Sequence, residues 1–418
     1  MIKLKIVLLL TAVFLSSCRN EPFAVKNKKV ILGDEQILSE QFNLIKNKRI
    51  GIITNQSGIL SNGTNIVDTL VKIPNVNLAA IFSPEHGFRG NVPNGVKIGQ
   101  TIDSATGLPV YSLYGKIRKP TPEMLKTIDV LLFDIQDIGA RYYTYISTLY
   151  YAIQSAAENN VKFIVLDRPN PISGIKVEGP VLDTSYQSFV GIAAIPIMHG
   201  MTVGELAKLF NNPDFLKTKR KADLTIVKMK NWKRKYFFND CRIKWIKPSP
   251  NIVSVDAELV YPGMCLLEGT NVSEGRGTYQ PFIFFGAPFI NSTQLLNQLK
   301  LLDIKGVQFY PAMFTPKSIP HMSMRPKYKG KSCFGLKIVI TDRNQFEPVK
   351  FGIKLLYALN KTYPGKFRLK TKWLDKLYGS SKLSQMLIDG KEPKEIISTW
   401  NPKLSEFIKK RKRYLLYN

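Results

Sequence analysis

Four short apolar runs decide most of what this chain can fold into. "RIGIIT" (49–54), "LAAIF" (78–82), "VLLFDI" (130–135) and "VKFIVLD" (161–167) are nearly continuous in apolar, largely β-branched residues. Strands buried on both faces read this way, whereas strands with one wet face alternate. Helical stretches lie between the runs, among them "YYTYISTLYYAIQSAAENN" (142–160), which ends in an asparagine as helices often do. Strand alternating with helix predicts a parallel sheet covered on both faces. "ADLTIVKM" (222–229) reads as a strand that closes the same domain.

At 418 residues the chain exceeds what one hydrophobic core usually serves, so two domains are expected. "WIKPSPNIVSV" (245–255) is proline-rich and breaks periodicity, as a linker lining a cleft would. Beyond it "GLKIVITD" (335–342), "GIKLLYALNKTYP" (352–364) and "KLSQMLIDGK" (382–391) suggest a smaller α+β domain. The expected division is a Rossmann-like domain over 30–250 and a C-terminal domain over 251–418. Apolar and charged fractions of 44% and 22% are those of a globular protein and exclude disorder.

The first 18 residues, "MIKLKIVLLLTAVFLSSC", carry Lys3 and Lys5, an apolar stretch too short to span a bilayer comfortably, then small residues and a cysteine. This is the pattern of a secretory signal. "LSSC" resembles the bacterial lipobox, whose cysteine is acylated after cleavage, so Cys18 is the expected lipid anchor and 19–29 a polar tether. The expected location is the cell envelope, periplasmic or associated with the outer membrane. The net charge of +29 comes from 60 basic and 31 acidic residues spread through the chain. For an exported protein such a balance suits an anionic membrane surface or an anionic substrate rather than nucleic acid, and solvated lysines account for it equally well. Besides Cys18 the chain has Cys241, Cys265 and Cys333, which permit at most one disulfide and match no zinc spacing. With three histidines in all, a histidine-rich metal centre is not expected, while a carboxylate-bound divalent ion stays open.

In open parallel sheets ligands bind beyond the carboxyl ends of the strands. The segments there are "NQSG" (55–58), "SPEHG" (83–87), "DIQDIGARYY" (134–143) and "DRPNP" (167–171), so one end of the sheet gathers acids, amides and arginines. No G-x-G-x-x-G follows the first strand, and no P-loop, H-E-x-x-H or G-x-S-x-G occurs, so dinucleotide, nucleotide, zinc-protease and α/β-hydrolase chemistry lack their signatures. Carboxylate chemistry remains. Glu85, between Pro84 and His86, sits on a constrained turn where a desolvated carboxyl would serve as a proton donor to a leaving oxygen; alternatively it pairs with Arg89. Glu178, on the rigid loop "DRPNPISGIKVEGP", is a second carboxylate candidate; alternatively it satisfies nearby backbone N–H groups. His86, Asp134, Arg141 and Tyr142, the strand-end Asp167 with Asn170, and His199 ahead of the Thr202/Glu205 capping box are candidates for holding a sugar. So are Asn251 in "PSPNI" and the cluster Glu268, Asn271, Glu274 and Arg276 in "LLEGTNVSEGRGTYQPF". A binding lipoprotein would need the same amides and aromatics without the proton donor. An amide or ester hydrolase would want a nucleophile or metal that the motifs do not supply.

"SPEHGFRG", "DIQDIGARYYTYISTL", "LDRPNPISG", "VEGP", "PIMHGMTVGELA", "PSPNI" and "YPGMCLLEGTNVSEGRGT", in this order, resemble the exo-β-N-acetylmuramidase family of glycoside hydrolases, the NamZ type, formerly a domain of unknown function. The resemblance runs from about residue 30 to the C-terminus. It implies a Rossmann-like catalytic domain, a smaller C-terminal domain and an active site in the cleft between them. It also implies release of terminal N-acetylmuramic acid from the non-reducing end of peptidoglycan fragments, no redox cofactor, Glu85 of "SPEHG" as general acid, and a second catalytic carboxylate for which Glu178 and Glu274 are rivals. Muramic acid carries a lactyl carboxylate, which Arg141 or Arg276 would clamp.

Overall fold

The four apolar runs become four neighbouring strands. A computed structural model describes residues 28–90 and 100–418; the signal, Cys18 and most of the tether lie outside them. The strands are β1 (Arg49–Thr54), β2 (Asn77–Ser83), β3 (Thr101–Ile102), β4 (Pro109–Ser112), β5 (Val130–Asp134), β6 (Lys162–Leu166) and β7 (Leu224–Val227). They form one sheet in the order β3-β4-β2-β1-β5-β6-β7, parallel throughout except for the β3–β4 edge pair. Both faces are dry. Ile53, Phe133 and Val165 enter one buried cluster, while Ile52, Leu132 and Ile164 enter another on the opposite face. That explains the continuous apolar runs.

The chain passes from β1 to β2 on one side and returns to β5 on the other, so the strand order reverses at β1 and β5. A crevice opens there at the carboxyl ends. The helices that matter for the site and its support are α1 (Tyr145–Asn159), α2 (Val203–Phe210), α3 (Val255–Met264), α4 (Pro348–Thr362) and α5 (Thr371–Tyr378). The helix expected over 142–160 is α1, and Asn160 ends it in the left-handed conformation. The Thr202/Glu205 capping box opens α2.

The smaller domain holds an antiparallel sheet of β8 (Phe284–Ala287), β10 (Cys333–Ile340) and β9 (Val307–Phe314), in that order, with helices around it. The apolar cluster on the α1 face of the large sheet continues through Tyr261, Leu336 and Leu355 into this domain, so one core serves both. At the joint α3 and α4 approach closely. A Cβ on Gly263 would stand 2.0 Å from the Pro348 carbonyl oxygen, and one on Gly352 2.7 Å from that of Gly263. Cys241, Cys265 and Cys333 are buried and free. No helix among the described residues is long and apolar enough to cross a membrane.

Candidate active site

The turn after β2 aims Glu85 into the crevice. His86 and Gly87 take positive φ, 74° and 75°, and the Gly87 N–H closes the turn on the Pro84 carbonyl. Glu85 is only 8% exposed. Arg89 turns away to Asp68 and Asp103, so the expected alternative pairing with Glu85 does not form. The partner of Glu85 is instead Thr144, whose Oγ1 donates to Oε2 at 2.8 Å. Thr144 is the N-cap residue of α1, a position where a threonine usually accepts from a helix N–H. Its side chain makes no such bond and serves Glu85 instead.

Glu85 lies on the wall of a pocket of about 150 Å³ that draws on both domains. Tyr114, Tyr142, Tyr143, Thr144, Tyr145 and Phe189 come from the large domain, and Ser249, Asn251 and Ile252 from the proline-rich linker. Tyr261, Glu268, Arg276, Phe282, Trp373 and Leu377 complete it. Under the pocket the rings of Tyr145, Tyr143, Tyr261 and Phe282 meet edge to face in sequence, with centroids 4.8, 5.8 and 4.9 Å apart. Burial is the main reason that the Tyr114, Tyr143, Tyr145 and Tyr261 hydroxyls titrate above their ordinary value, and the Glu85 carboxylate adds to it at Tyr114 and Tyr145. They remain proton-bearing donors. Asn251 donates Nδ2 to the Met322 carbonyl, and its Oδ1, buried at the pocket, has no hydrogen-bond partner among the described residues.

Of the residues singled out in the sequence, Glu85, His86, Tyr142, Asn251, Glu268 and Arg276 meet at this pocket. Among the described residues that line it, Glu85 and Glu268 are the carboxylates. Arg276 binds Glu268 Oε1 at 2.9 Å, reaches Glu274 at 3.4 Å and lies over the Phe282 ring. Burial would lower the Arg276 pKa, but the two carboxylates outweigh it and raise it.

The other candidates stand elsewhere. Glu178 accepts from the Val349 and Lys350 N–H groups at the start of α4, and burial pushes it up to about 7. Glu274 is tied to Lys327 at 2.9 Å; burial would raise its pKa, yet Lys327 and Arg276 hold it below the usual range. Neither lines the pocket, so the structure does not bring them to Glu85. Arg141 is wholly buried and gives its guanidinium to four carbonyls, those of Pro180, Ile195, Leu377 and Tyr378. Its Nε has no hydrogen-bond partner among the described residues, and the side chain does not line the pocket. Asp134 forms a buried triad with Arg168 and Asp34. Asp167 accepts from Thr202, Gly204 and Tyr417. Asn170 spans Met201 and Ile172, and Asn271 spans Lys366 and Arg368. His199 accepts the Met201 N–H at Nδ1, with Nε2 3.7 Å from Asp137. These polar residues at strand ends hold loops in place.

Tyr114, Tyr145, Ser249 and Trp373 went unread in the sequence. Tyr114 follows β4, so the strand-end rule would have found it had that short strand been visible. Trp373 gave no local signal at all.

Residues 50–256 match the description "Exo-beta-N-acetylmuramidase NamZ, N-terminal" and residues 259–417 its C-terminal counterpart. The chain is 47% identical over 393 residues to the peptidoglycan beta-N-acetylmuramidase NamZ of Bacillus subtilis strain 168, covering 94% of this chain and 92% of that protein. Crystal structures of two DUF1343 family proteins from Bacteroides fragilis superpose with TM-scores of 0.85 and 0.77, each at 36% identity. They cover 93% and 94% of this chain and 99% of theirs. Two domains closed on a carboxylate pocket, matched along nearly the whole chain, define a glycoside hydrolase. The chain belongs to the exo-beta-N-acetylmuramidase NamZ family.

Proposed function

We propose that the protein is an exo-acting hydrolase that releases terminal N-acetylmuramic acid from the non-reducing end of peptidoglycan fragments, with Glu85 as general acid. The observation that carries the residue assignment is the Thr144 hydroxyl, withdrawn from helix capping to hold the carboxylate that, among the described residues, reaches the pocket from the large sheet. Glu85 gives its proton to the glycosidic oxygen as the bond to the sugar breaks, and water takes that oxygen's place on the anomeric carbon, giving up a proton to a pocket carboxylate. Glu268, backed by Arg276, is the second carboxylate and faces the sugar from the smaller domain. Tyr143, whose buried hydroxyl has no hydrogen-bond partner among the described residues, donates to a sugar hydroxyl, and Trp373 offers a ring face at the rim.

The test is release of free N-acetylmuramic acid from a disaccharide bearing it at the non-reducing end, by the chain without residues 1–18. Glu85→Gln should lower kcat by 10²-fold or more, roughly the contribution of one general acid, with the sugar still bound. Full turnover by this variant would remove Glu85 from the mechanism. Glu268→Gln should also act mainly on kcat.

The reading extends to location: an exported lipoprotein acylated at Cys18 and working in the cell envelope. Palmitate labelling of the wild type that persists in Cys18→Ser would refute it.

A further inference from the structure

Given the proposed activity, the sugar in the pocket carries a lactyl carboxylate, and the two arginines that sequence reasoning offered for it are already engaged. Arg141 is spent on four carbonyls, and Arg276 on Glu268 and Glu274. A third arginine is not. Arg118 is exposed, and among the described residues its side chain makes no ion pair and no hydrogen bond; its contact is with the Phe189 ring, 4.6 Å from the guanidinium carbon to the centroid. Phe189 lines the pocket. Its ring lies 6.0 Å from that of Tyr114, which lines the pocket together with Glu85.

The seat under Arg118 is built. Phe189 sits at the tip of a tight turn closed by reciprocal Ser188 and Gly191 backbone hydrogen bonds. Ser147 of α1 donates to the Phe189 carbonyl at 2.7 Å, and Tyr151 of α1 stacks on its ring at 13°. A guanidinium over an aromatic face keeps its N–H donors at the edge of its plane, where two of them fit the two oxygens of a carboxylate. An ammonium in the same place would offer a point charge without that fork.

We infer that Arg118, seated on the pocket-lining ring of Phe189, binds the lactyl carboxylate and makes the enzyme selective for muramic acid over neutral hexosamines. The inference rests on the muramidase reading, and the experiment separates the two. Two disaccharides are compared, one with the free lactyl carboxylate at its non-reducing end and one with that carboxyl converted to the primary carboxamide. Wild type should prefer the carboxylate by roughly 10- to 50-fold in kcat/KM, mostly through KM, the range of one charge-assisted bidentate contact. In Arg118→Met the preference should collapse towards one, and Arg118→Lys should restore part of it. A thermal melt within a degree or two of wild type would separate this loss from misfolding. If wild type prefers the carboxylate and Arg118→Met keeps the full preference, Arg118 is the wrong residue. If wild type shows no preference, the carboxylate is not read at all. If wild type cleaves neither compound, the muramidase reading falls and Arg118 with it.

Discussion

Burial sorts side chains that look alike in the sequence. Glu85, Glu178, Glu258 and Glu274 are all buried glutamates, and each has a different partner. Thr144 holds Glu85, two backbone N–H groups hold Glu178, and two cations hold Glu274. Glu258 accepts the Trp245 Nε1–H at 3.1 Å, and its other oxygen has no partner among the described residues. Burial pushes Glu258 up to about 8, the Trp245 hydrogen bond opposes this, and Asp137 adds to it. In the unfolded chain the group titrates near 4.3. Its contribution is fully present below that pH and is lost as the pH rises through about 8, because the unfolded state releases the proton first. Glu258→Gln, neutral at every pH, should therefore lose less stability between pH 5 and 8 than wild type, by about 1.4 kcal/mol for each pH unit at most. Urea unfolding across that range reads the difference. Parallel curves for the two proteins would mean that Glu258 titrates normally.

Among the elements, the strands buried on both faces were legible because their apolar runs need no context, and α1 and α2 because capping is local. The two-residue β3 and four-residue β4 were not, for an edge strand that short carries no period. The C-terminal tail, "FIKKRKRYLLYN" (407–418), is dense in basic residues and shows no other local pattern. In the fold it returns to the large domain: Arg411 donates to the Gly174, His199 and Gly200 carbonyls, and the Leu416 N–H to Glu205. The Tyr417 hydroxyl donates to Asp167 at 2.6 Å and accepts the Met229 N–H at 3.0 Å. Removing that hydroxyl leaves a buried donor and acceptor short of a partner, so Tyr417→Phe should cost about 1–3 kcal/mol in a denaturant titration. A loss under half a kilocalorie would show that the tail rests on the domain without securing it.

For the whole molecule, the two domains share one core and are pinned at their joint by Arg141, which reaches from the large domain to the carbonyls that end α5. Two sheets so joined should melt together. Calorimetry should show a single transition, and Arg141→Met should move it down, by an amount worth about 2–5 kcal/mol for the carbonyls left unpaired, without dividing it. Two resolved transitions in the wild type would mean that the shared core does not couple them.

By itself the sequence determined the parallel sheet, the existence of a second domain, the crevice at the carboxyl ends of the strands and the place of Glu85 beside it. Each follows from local pattern: apolar runs, breakers, caps and a proline-constrained turn. Tertiary structure alone decided which polar residues face the crevice and which hold it up. That choice sent Arg141, Asp134, Asp167, Asn170 and His199 to buried hydrogen bonds and brought Glu268, Tyr114 and Trp373 to the pocket. The physical reason is that a buried donor must find an acceptor wherever the fold places one, and for Arg141 two of those acceptors lie 236 and 237 residues away along the chain.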